Sequence, residues 1–404
     1  MSASWKKRIY NPPPLPVELW LRIIETATSI PGILEPEMYK ISDLPNAETI
    51  RLQQLELRAS LATKRNLVRV SKAWYAMAAP HLYETILIGR QRTLMTLCTA
   101  LAHSKERGET SSGESHPLGW YAKRLDFAIR DSETRFLEDL AKVIRYLPNL
   151  TMFNFTPRGY VTFATADVAH ALAETCGHSL RQLFLSNHCL EERDWRLLLC
   201  SAPNLLALAC NSKHGLAGLP SLRSGAAAPL TNLRSLVVLW AFSYVFPWKH
   251  SDSLPNLEHL ELPSRENFDA LSACTPMPIR VLFLHIRRIY DHPRQWPDIE
   301  RDFPNVSRLV VSLDEWEGLL LRVPPSVTYL ALCCRRLQEK ANNFSEVFRV
   351  LATLKSPRLK VVRFADRRVG VELRTRHPAV LAQGLEQIRL TCSFVLEDCE
   401  GRPF

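Results

Sequence analysis

The residues of this chain that could carry out metal or acid–base chemistry lie between positions 178 and 194. His178, His188 and Cys189 could offer imidazole and thiolate ligands, and Glu191–Asp194 contains three carboxylates. The further ligands that a metal site needs are not evident at a suitable spacing. Carboxylates at the start of a predicted helix interact favourably with the helix dipole, so we interpret Glu191–Asp194 as a helix start.

Motifs of the common catalytic and nucleotide-binding classes are missing from the sequence. We find no Gly-x-Gly-x-x-Gly, P-loop, His-Glu-x-x-His or Gly-x-Ser-x-Gly pattern, and the chain has only 14 glycines in 404 residues. We therefore expect no enzyme activity, no cofactor and no metal. Function then depends on surfaces that bind partners, and on the elements that position them.

Composition predicts a folded protein with reduced cysteines. Hydrophobic residues make up 46% of the chain, and the ten cysteines are scattered without a Cys-x-x-Cys pair. This pattern favours the cytoplasm or the nucleus. Met1–Pro14 lacks the apolar stretch of a signal peptide, and the uncharged stretch Ser235–Trp248 is too short to span a bilayer.

The net charge of +10 leaves two kinds of partner open. A basic surface attracts nucleic acid, but it also attracts acidic proteins. The arginine pairs at 287–288, 335–336 and 367–368 are dispersed, and no stretch is typical of a DNA-recognition helix or an RNA-stacking motif. A steep salt dependence of binding to generic DNA or RNA would favour the nucleic-acid alternative.

A short helix near the N-terminus is predicted to be apolar on almost every side. Three lines of apolar side chains run along it: Leu15, Leu19 and Ile23; Trp20 and Ile24; Val17 and Leu21. A helix with so few polar positions must be covered on most sides, and few neighbouring residues are available to cover it. We infer that a partner covers one side.

These residues resemble the first helix of an F-box. Leu15, Pro16, Glu18, Leu19 and the pair Ile23–Ile24 match the family pattern Leu-Pro-x-Glu-Leu followed by two apolar residues. The second half of the motif resembles the family's Val-Cys-x-x-Trp helix. It comprises Val70, Ser71 in place of the usual cysteine, and Trp74.

Pro80–Tyr83 resembles the Pro-x-Leu-Tyr ending of a large fungal F-box-like group. The segment from Leu15 to Tyr83 spans 69 residues, which is longer than the usual compact F-box. We place the extra length in an insertion near residues 31–62, between the first two helices. It contains Pro31, Pro36 and Pro45.

A second pattern, apolar-x-x-apolar-x-apolar, recurs after Tyr83 and predicts a series of short strands. From Phe153 onward the central apolar residues are 21 to 32 positions apart, which centres on the 20–29 residue period of leucine-rich repeats. The central residues are Ile86 and Leu125 in two weaker early copies, then Phe153, Leu183, Leu208, Leu236, Leu260, Leu282, Leu309, Leu330, Val362 and Ile388.

The dipeptide Pro-Asn directly precedes four of these copies, at 148–149, 203–204, 255–256 and 304–305. Proline cannot continue a helix, and it biases the preceding residue towards an extended conformation. Each unit is therefore predicted to be a helix, a turn and a short strand, stacked on its neighbours along one core.

The array resembles the irregular leucine-rich repeats found behind F-boxes. The asparagine expected after each strand is mostly absent, so we expect an uneven horseshoe of about ten to twelve repeats. The predicted fold is α plus α/β, with a basic, proline-rich arm at 1–13, a helical F-box-like domain at 14–90, and a repeat solenoid at 91–404. The polar segment Ser104–Pro117 is predicted to be a mobile loop.

Strand alternation predicts a target-binding surface. Residues beside the central apolar position point away from the core, towards what is the concave face in leucine-rich repeats. Several of these positions are apolar or aromatic, as expected of a protein-binding patch. The predicted surface comprises Phe184, Val237, Phe283 and Tyr329, with a basic end at Arg363 and Arg389. Alternatively, terminal loops or Ser104–Pro117 fold over this face.

The F-box resemblance implies a non-catalytic substrate receptor of a Skp1–cullin–F-box ubiquitin ligase. In that family the F-box docks the Skp1 adaptor, and through it a cullin, while the repeats hold the target. The residues expected to form or support the adaptor interface are Leu15, Pro16, Leu19, Ile23, Ile24, Val70 and Trp74. The alternatives are a repeat scaffold without a ligase role and a basic repeat protein that binds nucleic acid.

Overall fold

The computed structural model shows an α/β solenoid built on one parallel sheet. It describes residues 15–110, 116–129, 136–156, 166–185, 190, 192–210, 230–238, 254–262, 278–286, 299–316, 321–334 and 341–404. Within these ranges, twelve strands pair in strict chain order, each with the strands before and after it. Sequential parallel pairing is the topology of stacked repeats, because each unit contacts only its neighbours.

The strands are short, and most contain four residues. They are β1 (Thr85–Ile88), β2 (Arg124–Phe127), β3 (Met152–Phe155), β4 (Gln182–Leu185), β5 (Ala207–Cys210), β6 (Ser235–Val238), β7 (His259–Leu262), β8 (Val281–Ile286), β9 (Arg308–Leu313), β10 (Tyr329–Cys334), β11 (Val361–Phe364) and β12 (Val395–Glu397).

Helices precede the sheet and lie between its strands. The first three form the N-terminal region: α1 (Val17–Thr28), α2 (Asn46–Leu67) and α3 (Lys72–Glu84). The others are α4 (Gln91–Thr110), α5 (Phe136–Ile144), α6 (Ala166–Cys176), α7 (Glu192–Ser201), α8 (Ile299–Asp302), α9 (Ala341–Ala352), α10 (Arg367–Thr375) and α11 (Pro378–Thr391). Short 3₁₀ turns lie at Met38–Lys40, Leu118–Tyr121 and Gly177–Ser179.

One ladder of apolar side chains runs through the main core. Ile86 pairs with Leu125, Leu125 with Phe153, and the same register continues to Val362 and Leu396. Every member of the ladder is buried, and the helices cover it from the same side. The predicted central residues of eleven copies therefore lie in register, and this confirms the predicted repeat.

Asparagine side chains in the turns that precede the strands link neighbouring repeats. Asn149 Nδ2 donates to the carbonyl of Trp120 at 2.9 Å, and Asn204 Nδ2 donates to that of His178 at 2.8 Å. Asn232 and Asn256 make the same kind of bond, to Pro203 and Thr231. A series of asparagine bonds thus lies at the entry to the strands, and not after them, where regular leucine-rich repeats have their asparagine.

The copy predicted at Leu385, Ile388 and Leu390 is wrong, because these residues belong to α11. Leu385 and Ile388 are three positions apart, a spacing that also places them on one face of a helix. Leu390 is 81% exposed. The twelfth strand lies further on, at Val395–Glu397, where it pairs with β11.

Two predicted boundaries also change. β1 pairs with β2, so the sheet begins at Thr85, inside the region 14–90 that was assigned to the F-box-like domain. The predicted mobile loop Ser104–Pro117 is wrong in its first part, because α4 continues to Thr110. Residues 111–115 lie outside the described ranges.

Gly384 allows α11 to lie directly against α9. A Cβ atom built on Gly384 would lie 2.2 Å from Cγ of Phe348, whose side chain is buried. We predict that Gly384→Ala lowers the free energy of unfolding. Alanine gains about 1 kcal/mol in helix propensity, but overpacking of this kind costs about 1–3 kcal/mol.

Urea unfolding of Gly384→Ala and of the exposed control Gln383→Ala, on the same helix, checks this prediction. Gln383→Ala should match the unchanged chain closely. If Gly384→Ala were the more stable variant, helix propensity would outweigh packing and the close contact between α9 and α11 would be wrong.

Candidate binding surfaces

A segment of the predicted insertion lies across the second face of the sheet. This segment, residues 33–54, is called the strap here, and the strap face is the side of the sheet opposite the main core. The strap begins at β2, where Arg124 Nη1 donates to the carbonyl of Ile33, and it reaches β11, where Arg363 contacts Asp43. It then returns as the first half of α2, and Gln53 again contacts Arg124.

Apolar side chains of the strap fill two patches of the strap face. Met38 and Ile50 form a buried cluster with residues of β3 to β6: Met152, Phe184, Ala209 and Val237. Leu44 packs on a second cluster formed by β8 to β10 and the residue that follows β11: Phe283, Val310, Ala331, Cys333 and Ala365. The outward part of the strap, its first leg, and the returning part in α2, its second leg, thus both contribute to a small second core.

Polar contacts in the middle of the strap are also specific. The ring of Tyr39 stacks on His259 with 4.7 Å between ring centroids, and His259 Nδ1 lies 2.8 Å from Ser235 Oγ. The backbone N–H of Asn46, at the start of α2, donates to Glu261 Oε2 at 3.1 Å. A carboxylate at a helix N-terminus suits the helix dipole, so the sheet itself caps α2.

Asp43 lies at the turn of the strap and is held by three donors. Arg308 Nη2 contacts its carboxylate, Tyr329 Oη donates to it at 2.5 Å, and Arg363 Nη1 donates at 3.1 Å. The two guanidinium groups lie 5.0 and 5.2 Å from the centre of the Tyr329 ring. Burial, with the Asp43 carboxylate adding to it, raises the pKa of Tyr329 far above its usual value.

A fully buried network holds the other end of the strap. Arg124 forms an ion pair with Asp126 and donates to the carbonyl of Ile33 at 2.6 Å and to Gln53 Oε1 at 2.7 Å. Asn154 donates to Asp126, and so connects the network to the next repeat. Since a buried guanidinium is costly without partners, this network depends on the strap being in place.

The predicted target-binding surface is therefore wrong as a surface open to solvent. Phe184 and Val237 are 2% exposed and Phe283 is 3% exposed, because the strap covers them. Tyr329 and Arg363 are bonded to Asp43. Arg389 lies on α11 and does not belong to the face. One sequence signal could have revealed that the strap covers this face. The strap has apolar residues that suit the apolar strand positions, and an acidic residue that suits the basic ones.

A second surface lies on α1 and remains open. Leu19 and Ile23 on α1 and Leu15, two residues before its start, are called the α1 line below and are 46%, 47% and 41% exposed. Opposite them, Ile24 is buried and the ring of Trp20 lies 5.1 Å from that of Trp74. The chain itself thus covers one side of this helix and leaves a line of large apolar side chains without cover from any described residue.

The other predicted adaptor-binding residues are also either exposed or packed against the rest of the chain. Pro16 precedes α1 and is exposed, and Val70 is also exposed, whereas Trp74 is half-buried against Trp20. Ser71, found where the family usually has cysteine, accepts a hydrogen bond from the backbone N–H of Trp74 and so caps α3. Ile24 and Trp74 support the surface, and the exposed residues form it.

The structure describes only some of the residues that the sequence offers as metal ligands. His178 is exposed, α7 begins at Glu192, and His188 and Cys189 lie outside the described ranges. Among the residues that are described, no group of three or more His, Cys, Asp or Glu side chains could hold a metal ion. The helices in those ranges are also too short or too polar to cross a membrane.

Comparisons with known proteins add little to this description. No protein-family model and no curated protein matches the chain. One similar solved structure is the leucine-rich repeat-containing protein LegL7 from Legionella pneumophila. It is 14% identical, the match covers 70% of this chain and 77% of that one, and the TM-score is 0.29. The assignment as an α/β solenoid rests on the sheet topology described above.

His259 makes the strap contacts sensitive to acid. Burial lowers its pKa to about 4, Glu261 opposes this shift, and Arg308 adds to it. In the unfolded chain a histidine has a pKa near 6.5, so the unfolded state binds more protons between these values. We predict that stability is lost as the pH falls from about 6.5 to about 4, by up to about 3 kcal/mol.

Urea unfolding at several pH values, for the unchanged chain and for His259→Gln, measures this contribution. Taking the difference between the two curves removes the titration of other groups. The difference should change steadily between about pH 6.5 and 4 and stay level at higher pH. Parallel curves throughout would show that His259 is not buried as a neutral group.

Proposed function

We propose that this chain is a non-catalytic receptor subunit of a Skp1–cullin–F-box ubiquitin ligase, and that α1 docks a Skp1-type adaptor. The observation that supports this most strongly is the α1 line of exposed large apolar side chains. Leu15, Leu19 and Ile23 form this line, and they also match the F-box pattern. Contiguous apolar groups of this kind are characteristic of protein-interaction sites.

The division of α1 into two sides supports an adaptor interface. Trp20, Ile24 and Thr28 face the rest of the chain, and the contact between Trp20 and Trp74 fixes α1 against α3. The helix therefore presents the α1 line on a supported scaffold, and binding needs little additional ordering. Val70, 58% exposed just before α3, adds a further apolar group.

The solenoid is proposed to act as the protein-interaction scaffold that carries the target. Ubiquitin transfer in this class of ligase takes place on other subunits, so the receptor needs no catalytic residues of its own. Since the strap fills the strap face, we assign target binding to other surfaces of the solenoid. The net charge of +10 favours an acidic target.

The proposal is tested by co-expressing the chain with Skp1 and comparing Leu19→Glu/Ile23→Glu with the unchanged chain. Truncation of a central anchor typically costs about 2 kcal/mol or more, so two buried charges should weaken binding by at least about a hundredfold. The matched control is Val371→Glu/Leu390→Glu, which adds the same charge at two exposed apolar positions of α10 and α11. It should bind as the unchanged chain does.

Circular dichroism must show that all three chains are folded. If the unchanged, folded chain does not bind Skp1, with or without residues 1–13, the ligase role is wrong and a scaffold without that role becomes the better account. Equal loss of binding in the control would show that the effect is one of charge and not of the α1 line.

A further inference from the structure

We propose that the strap is a permanent internal ligand of the strap face. In this role it fastens the N-terminal helices to the solenoid as one rigid body and closes the face to outside targets. These N-terminal helices, called the helical module below, are α1, the part of α2 from Glu56 onward, and α3. The inference goes beyond the proposed function and does not depend on adaptor binding, because it concerns contacts within a single chain.

The strap binds the face in the way a peptide ligand would, along nearly its whole length. Its first leg places Met38 over β3 to β6, Tyr39 over β7 and Asp43 over β9 to β11. Its second leg returns with Asn46 at β7 and Gln54 beside Thr156, the residue after β3. The face thus offers apolar, aromatic and cationic subsites, and the strap supplies a matching group for each.

The burial of the strap makes spontaneous opening rare. Met38, Tyr39 and Ile50 are all buried. Burying one large apolar side chain favours the closed state by roughly ten- to a hundredfold, so three such residues contribute about a thousandfold or more, against the conformational entropy that the strap gains on opening. An outside target could open the strap only by binding the open state better than the closed state by a larger factor.

Polar contacts add to this bias. Lifting the strap would remove Asp43 from Arg308 and Arg363, and it would remove two partners from the buried Arg124. It would also separate the Glu261 carboxylate from the N-terminus of α2. Groups of the strap are partners of each of these charged side chains of the sheet. A charge left without its partner in a buried site is costly.

The helix α2 transmits this attachment to the helical module. Its 22 residues contain no glycine or proline, and its first half, through Ile50, lies on the strap face. Its second half reaches the other helices and the sheet: Ser60 Oγ donates to the carbonyl of Thr28, and Lys64 Nζ lies 3.4 Å from Thr85 Oγ1. A continuous helix bends little, so the position of one half sets that of the other.

The chain offers matched variants for a test. Met38→Asp/Ile50→Asp places two charges in the buried cluster beneath the strap, whereas Ala47→Asp/Leu55→Asp places the same charges at exposed positions of α2 that do not adjoin the bonds cleaved by trypsin. Probes introduced as unnatural amino acids at the exposed positions Glu25 and Glu386 report the distance between α1 and α11. Trypsin cleavage after Lys40 and Arg51 reports opening of the strap.

We expect a narrow distance distribution and slow cleavage at both sites in the unchanged chain and in Ala47→Asp/Leu55→Asp. In Met38→Asp/Ile50→Asp the distribution should broaden, and cleavage should be at least about a hundredfold faster, because cleavage follows the open population. If that variant does not fold, Asp43→Ala should give a smaller increase in cleavage.

Two results would overturn the proposal. One is a broad distance distribution or rapid cleavage at Lys40 and Arg51 in the unchanged chain, which would show a loose strap. The other is a folded Met38→Asp/Ile50→Asp variant that behaves as the unchanged chain does. Because no adaptor is present in either measurement, failure here leaves the proposed ligase role to its own test.

Discussion

The structure depends on one constraint: the first face of the parallel sheet is apolar, the second carries apolar patches and buried charged groups, and both must be covered. Wherever the structure describes a helix between two strands, that helix covers the first face, as the core around Leu125 to Leu396 shows. The second face has Phe184, Val237 and Phe283 where a solvated sheet would have polar residues. Parallel sheets are generally buried on both sides, and here residues 33–54 provide the second cover.

Local sequence patterns predicted the solenoid well, because strand register depends on short-range spacing. Eleven predicted copies became strands, and their central residues stack in one ladder. The copy at Ile388 failed because Leu385 and Ile388 fit a helix face equally well. The accessibility of Phe283 could not be predicted in this way, since it depends on Leu44, about 240 positions earlier in the chain. Exposure of a strand position is a property of the whole fold.

The strap face and the α1 line consequently differ in exposure: the chain covers the first and leaves the second open. The strap face looked like a target site from the sequence, but Met38, Asp43 and Ile50 occupy it from within. The α1 line was predicted to need a partner, and the described part of the chain leaves it exposed. The strap lies within residues 31–62, the stretch that the sequence analysis interprets as an insertion. Its length is explained by an out-and-back path across ten strands, from β2 to β11.

Hydrogen exchange followed by mass spectrometry tests the central claim, that the strap fills the second face of the sheet, most directly. The account predicts that the hydrogen-bonded amides within Met38–Gln54 exchange as slowly as those of β3 to β10, including the Asn46 amide bonded to Glu261. Exchange of the strap that is faster by several orders of magnitude, with the strands still protected, would show that the strap leaves the face on its own. That result would contradict the account.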